Sequence, residues 1–285
     1  MSYKVFLWLA GFISILVIGV SVTYKTLSTP LPGEHRYFPI ERIAHAGGGY
    51  NKKTYTNSIN ALEANKDSYN FFEIDFVWTS DQHLVCLHDW DASAKAAFGN
   101  VFDPAPTLYD FEGLVRDNAK YKNCTAETLI AWLESNPEKK IVTDVKKDNV
   151  LALKYIANMY PDYAKRFIPQ IYNPDQYEPV KKMGYEKIIF TLYRYSGDHS
   201  EVLKAVSDMS LYAVTVPKRH IRSEISLDFE KWGLPHSFIT VRFPYDLAQL
   251  NIPTYVHTVN NQEEWMELQR LGVSEIYTDW LGKTN

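Results

Sequence analysis

From Ile40 onward, short apolar runs alternate with stretches of helical periodicity, the pattern of a repeated strand-helix unit. The apolar runs predict strands over 41–46, 71–78, 140–145, 166–171, 187–192, 211–216, 253–259 and 274–278. Helices are clearest over 59–65, 125–135, 149–160, 174–183 and 261–271, the first preceded by the capping candidates Thr56, Asn57 and Ser58. The run Phe71 to Trp78 is apolar on both faces of any extended reading, as a parallel strand covered on both sides must be. A turn at Ser80-Asp81-Gln82 and the run His83 to Leu87 make a hairpin with it. With the hairpin set aside, eight strands remain, the number of a closed (β/α)8 barrel, α/β in class. The stretch Asp91 to Asn123 has no sustained period and contains Pro104 and Pro106, so it reads as a long loop or small insertion over one end of the domain. The apolar run His236 to Val241 has no assigned place.

The N-terminal pattern differs. Val5 to Tyr24 has no charged side chain and, at ~1.5 Å per residue, is long enough for a ~30 Å hydrocarbon core. It reads as an uncleaved single-pass anchor, with a cleaved signal peptide as the competing reading. Residues 1–25 are thus the anchor, 26–39 a linker with Pro30, Pro32, Gly33 and Pro39, and 40–285 the barrel. Because the tail before the anchor is short, the expected orientation leaves the barrel outside the cytoplasm, attached to the membrane through this helix.

Composition adds limits. A net charge of -4 argues against a general nucleic-acid binder. Twenty Tyr and seven Trp suit a sugar or lipid site, and also a large core. Cys86 and Cys124 fit no metal finger; they either pair in an oxidising compartment, tying the hairpin to a later loop, or are buried free thiols.

The candidate chemistry sits inside the apolar pattern. Glu73 and Asp75, two apart on a strand, project from one face, and such a pair in an apolar strand needs a positive partner. A hard divalent cation provides one through oxygen ligands alone. The same pair on a wet edge strand would mean only solubility, but the flanking Phe and Val residues leave no wet face. His88 follows the hairpin, with Asp89 to cap the turn or orient it. Asp144 and Lys146 repeat the two-residue spacing, and His45 runs into Gly47-Gly48-Gly49, glycines that permit a tight turn and close approach of a ligand. In a barrel these residues, with Arg194, Lys218, Arg219 and His257, share the mouth at the strand C-termini. Cations around a carboxylate-bound metal predict an anionic substrate.

Read in order, His45-Ala46-Gly47-Gly48, Thr56-Asn57-Ser58, Glu73-Ile74-Asp75, His88-Asp89, Asp144-Val145-Lys146, His257-Thr258-Val259-Asn260, Gly272-Val273 and Thr278-Asp279 resemble the motifs of the glycerophosphodiester phosphodiesterase family. That family belongs to the phosphatidylinositol-specific phospholipase C-like (β/α)8 barrels, and the resemblance runs from about Ile43 to Trp280. It implies phosphodiester cleavage with one divalent metal, Ca2+ or Mg2+, held by Glu73, Asp75 and Asp144. His45 and His88 would be the acid and base, Lys146 a phosphate contact, and Arg194, Lys218 and His257 further substrate contacts. The expected substrate is a small phosphodiester or a lipid headgroup. Three positions depart from the family pattern: Ala46 stands where an Arg is usual, Asp144 replaces a Glu, and His257 replaces a Trp. Asp-x-Lys without the Arg is similar to the sphingomyelinase D toxins, so a lyase forming a cyclic phosphate is an alternative, as is an inactive barrel that binds phospholipid or phosphosugar.

Overall fold

The computed structural model describes residues 37–117, 120–221 and 243–282. The expected anchor at Val5 to Tyr24 and the run His236 to Val241 lie outside the described residues. Among the described residues, no helix is long and apolar enough to cross a membrane.

Nine strands form one sheet: β1 (Ile43–Ala44), β2 (Phe71–Trp78), β3 (Leu84–Cys86), β4 (Lys140–Val145), β5 (Phe167–Ile171), β6 (Ile189–Thr191), β7 (Ala213–Pro217), β8 (Thr254–His257) and β9 (Glu275–Thr278). All neighbours are parallel except β2 and β3, and β1 pairs with both β2 and β9, so eight strands close on themselves. The (β/α)8 barrel expected from the apolar runs is present. β2 has two uses: Phe71 to Phe76 pair with β4, while Phe76 to Trp78 pair with β3 in the hairpin.

The interior shows why the functional residues fall where they do. Ile43, Phe71, Val142, Ile168, Ile189, Ala213, Tyr255 and Tyr277, one from each barrel strand, pack into a single buried cluster that fills the lower barrel. Side chains alternate along a strand, so the residue two places on points inward one layer nearer the C-terminal mouth. Those residues are His45, Glu73, Asp144, Gln170, Thr191, Thr215, His257 and Asp279. The apolar layer therefore acts as the floor of a polar one. A second, larger apolar cluster packs the outer strand faces against the helices, including Phe72, Ile74, Leu129, Leu133, Phe190 and Val256.

Helix α1 (Ile59–Asn65) starts at Ser58, whose hydroxyl accepts from the Ala61 amide. The stretch after the hairpin is a helical insertion rather than a featureless loop: α2 (Ala92–Phe98) and α3 (Leu108–Asp117) lie within it. Their periodicity is faint because α2 buries only two alanines and α3 only Phe111. Phe111 sits edge-on to Trp90 and Phe98, each at 5.9 Å, so a few rings make a small local core. Helices α4 (Ala126–Ser135), α5 (Asn149–Met159), α6 (Tyr177–Lys182), α7 (His199–Val206), α8 (Lys218–Ile221), α9 (Phe243–Gln249) and α10 (Gln262–Arg270) follow. Cys86 on β3 and Cys124 just before α4 are joined by a disulfide. This decides the cysteine question against free thiols and ties the hairpin to the barrel wall.

Candidate active site

Glu73 and Asp75 extend from β2, and Asp144 from β4, where Asp75 and Asp144 are register partners. Each is almost fully buried, and oxygens of the three lie within 4.8 Å of one another. Burial and the neighbouring Asp75 charge push the Glu73 pKa up to about 8, and burial with the Asp144 charge raises that of Asp75. Burial would also raise Asp144, but the ammonium of Lys146 and hydrogen bonds from Lys146, Tyr172 and Tyr193 hold it low. Lys146 Nζ is 2.5 Å from Asp144 Oδ2 and 3.6 Å from Asp75 Oδ1. Three buried carboxylates crowd together around one ammonium, with His45 Nε2 4.0 Å from Glu73 Oε2, and they form an all-oxygen donor set. That chemistry fits a hard divalent cation held by Glu73, Asp75 and Asp144.

The supporting contacts are specific. The Ala46 amide donates to Glu73 Oε2 at 2.7 Å, which requires the left-handed turn at Ala46, with φ of 49°. Asn57 clasps Asp75 from both sides: its Nδ2 donates to Oδ2, and its Oδ1 accepts from the Asp75 amide, both at 2.9 Å. Of the three residues read as helix caps, only Ser58 caps the helix; Asn57 holds a candidate metal ligand. Gly47 and Gly48 take positive φ and make the expected turn, but the close approach at Gly49 is to the Trp280 indole. A Cβ at Gly49 would lie 2.1 Å from that ring, so this glycine serves packing and not a ligand.

Two histidines flank the carboxylates, each fixed through one ring nitrogen. Nδ1 of buried His45 is 2.9 Å from Asp279 Oδ1, and Nδ1 of half-exposed His88 is 2.7 Å from Asp89 Oδ2. In both rings Nε2 is left for chemistry. Burial alone would lower the His45 pKa, but the Asp279 hydrogen bond and the charges of Glu73, Asp279 and Asp75 outweigh it and raise it to about 9. Asp89 both orients His88 and accepts from the Ser93 amide, so the two expected roles coexist. The Tyr55 ring stands between the histidines, 4.4 Å from His45 and 5.9 Å from His88.

Seven expected residues, His45, Glu73, Asp75, His88, Asp144, Lys146 and His257, line one cavity of about 210 Å³, together with Tyr55, Gln170, Tyr193 and Tyr277. His257 packs between the Tyr193 and Tyr277 rings. Arg194 is outside this cavity, with its guanidinium 5.1 Å from the Tyr172 ring. Lys218 is outside it too, because its ammonium is paired with Glu264 of α10 at 3.2 Å. The Arg219 side chain lies outside the described residues. Sequence reasoning missed Tyr55, Asn57, Tyr172, Tyr193 and Asp279 as site residues. Once the floor layer is known, inward alternation finds Tyr172, Tyr193 and Asp279; Tyr55 and Asn57 sit on a loop and give no periodic signal.

No family profile and no curated protein matches the chain. Solved structures do. A glycerophosphodiester phosphodiesterase from Thermotoga maritima is 19% identical, with a TM-score of 0.62 over 85% of this chain and 96% of its own. Another from Parabacteroides distasonis is 18% identical, with a TM-score of 0.59 over 84% and 92%. A phosphodiesterase from Oleispira antarctica, solved in complex with the product sn-glycerol-3-phosphate, is 14% identical, with a TM-score of 0.57 over 84% and 92%. At these identities the likeness establishes a shared fold.

Proposed function

We propose that this chain is a metal-dependent phosphoric diester hydrolase acting on a glycerophosphodiester or phospholipid-type substrate. The observation that carries the reading is the meeting, in one cavity, of a buried three-carboxylate cluster with two histidines whose Nδ1 atoms are each held by a carboxylate. The fold shared with glycerophosphodiester phosphodiesterases, and with a phosphodiesterase solved in complex with the product sn-glycerol-3-phosphate, supports the substrate class.

A Ca2+ or Mg2+ ion held by Glu73, Asp75 and Asp144 would neutralise phosphate oxygens and stabilise charge developing at phosphorus. Lys146, kept protonated by Asp144 and Asp75, places a second positive charge beside that phosphate. One histidine takes the proton of the attacking hydroxyl through Nε2, and the other gives a proton to the leaving oxygen. Asp279 and Asp89 fix the rings so that these nitrogens face the cavity. The nucleophile is water or, in a polyol substrate, the hydroxyl next to the phosphate, which gives a cyclic product.

We further propose that Val5 to Tyr24 is a membrane anchor and 26–39 its spacer, an arrangement that would hold the barrel outside the cytoplasm. The uncharged N-terminal run and the Cys86–Cys124 disulfide, which suits an oxidising compartment, support this. The test is a panel of glycerophosphodiesters and phospholipids, with and without EDTA, with products separated into linear and cyclic phosphates. Turnover restored by Ca2+ or Mg2+ is expected. Binding without turnover of any diester under either metal would replace the enzyme by a binding barrel. A soluble form starting at Glu34 is expected to keep activity on short-chain substrate, since no site residue precedes His45.

A further inference from the structure

Next to the acidic cavity lies a larger one of about 510 Å³, lined by Lys146, Asp148, Asn149, Tyr172, Gln176 and Arg194 among others. Lys146 borders both cavities. Tyr172 forms the wall between them: its hydroxyl donates to Asp144 Oδ1 at 2.5 Å, while Arg194 lies over its ring. The exposed guanidinium also donates from one nitrogen to the Lys146 carbonyl at 2.7 Å. Arg194 is therefore a positioned cation with donors to spare, facing this cavity and not the carboxylates.

One further feature points the same way. The first turn of α5 borders the cavity, and Asp148, its N-cap residue in the left-handed region, makes no capping bond, so its carboxylate leaves the first amides of this eleven-residue helix uncapped. A guanidinium and open helix amides call for an anion. The exposed Asp148 carboxylate is the one opposing charge along this wall.

We propose that this cavity is a second anion subsite, taking a phosphate or carboxylate carried by the part of the substrate beyond the scissile phosphorus. The inference rests on the phosphodiesterase reading for the placement of the first phosphate. It assigns Arg194 to substrate selection, and not to replacing the Arg that Ala46 displaces at the reacting phosphate.

The test uses the full chain and needs no turnover. Calorimetry compares binding of propane-1,3-diol bisphosphate with that of propyl phosphate, in wild type and in Arg194→Ala. The second phosphate is expected to tighten binding by on the order of tenfold in wild type, and this gain is expected to vanish in Arg194→Ala. A bisphosphate that binds no better than the monophosphate, or does not bind, overturns the subsite; so does a gain that survives in Arg194→Ala. In parallel, kcat/KM is compared for glycerophosphoglycerol and its terminally phosphorylated analogue, and glycerophosphoserine reports on a carboxylate. A binding gain without turnover of any diester keeps the subsite and rejects the phosphodiesterase reading, whereas turnover with no preference for the charged headgroups does the reverse.

Discussion

Nδ1 of His45 and Oδ1 of Asp279 are 2.9 Å apart across 234 positions of sequence, at the C-terminal ends of two neighbouring barrel strands. The contact is the main reason a buried imidazole stays charged. Without Asp279 the ring would lose this hydrogen bond and the largest of the contributions that raise its pKa. Asp279→Asn should lower turnover by about 100-fold and move the pH-activity limb set by His45 downward. In metal-free protein a stability effect accompanies it. Because the folded-state pKa is raised from 6.5 to about 9, the pair stabilises fully below pH 6.5 and loses that contribution as pH rises through about 9. The melting difference between wild type and Asp279→Asn should be largest in acid and close toward pH 9; a constant difference would assign Asp279 a packing role only.

The carboxylate cluster makes an opposite claim about stability. Buried like charges oppose folding until a cation joins them, so Glu73→Gln in EDTA should melt above wild type at pH 8 and higher, while losing the rise in melting temperature that Ca2+ or Mg2+ gives wild type. Activity should fall below detection in Glu73→Gln, Asp75→Asn and Asp144→Asn alike. Rescue of wild-type activity by Zn2+ but by neither hard cation would contradict the all-oxygen donor set.

His88 is half-exposed, and its replacement disturbs no core. His88→Ala should therefore leave the melting temperature within about 1 °C and cost at least ~100-fold in kcat. Asp89→Asn should cost less, because the Ser93 amide contact to the side chain can survive. Near-normal turnover of His88→Ala would remove this residue from proton transfer.

Removing the disulfide should destabilise without touching chemistry. Cys86→Ser with Cys124→Ser opens a link spanning 38 positions and should cost about 2–4 kcal/mol, read from denaturant midpoints with and without reductant. If the double variant were as stable as wild type, Asn123 would be the stronger tie, since its Nδ2 already donates to the carbonyls of Thr56 and Cys86 at 2.8 and 3.1 Å.

The sequence by itself determined the barrel and the buried carboxylates. Strands buried on both faces read as continuous apolar runs, and a carboxylate inside such a run, as at Glu73, Asp75 and Asp144, stands out because burying it unpaired is costly. Boundaries of β2 and β4 were legible to the residue for that reason. Helices α2 and α3 were not, since a helix that buries two alanines or one ring carries little periodic contrast. What tertiary structure alone decided is partnership. Asn57 reads as a cap until Asp75 lies against it, and Lys218 reads as a mouth cation until Glu264 claims it. Asp279 gains its role only when barrel closure sets β9 beside β1. Local pattern encodes which face of a strand is buried. Which strands become neighbours, and so which charges meet, depends on contacts between residues far apart in the chain.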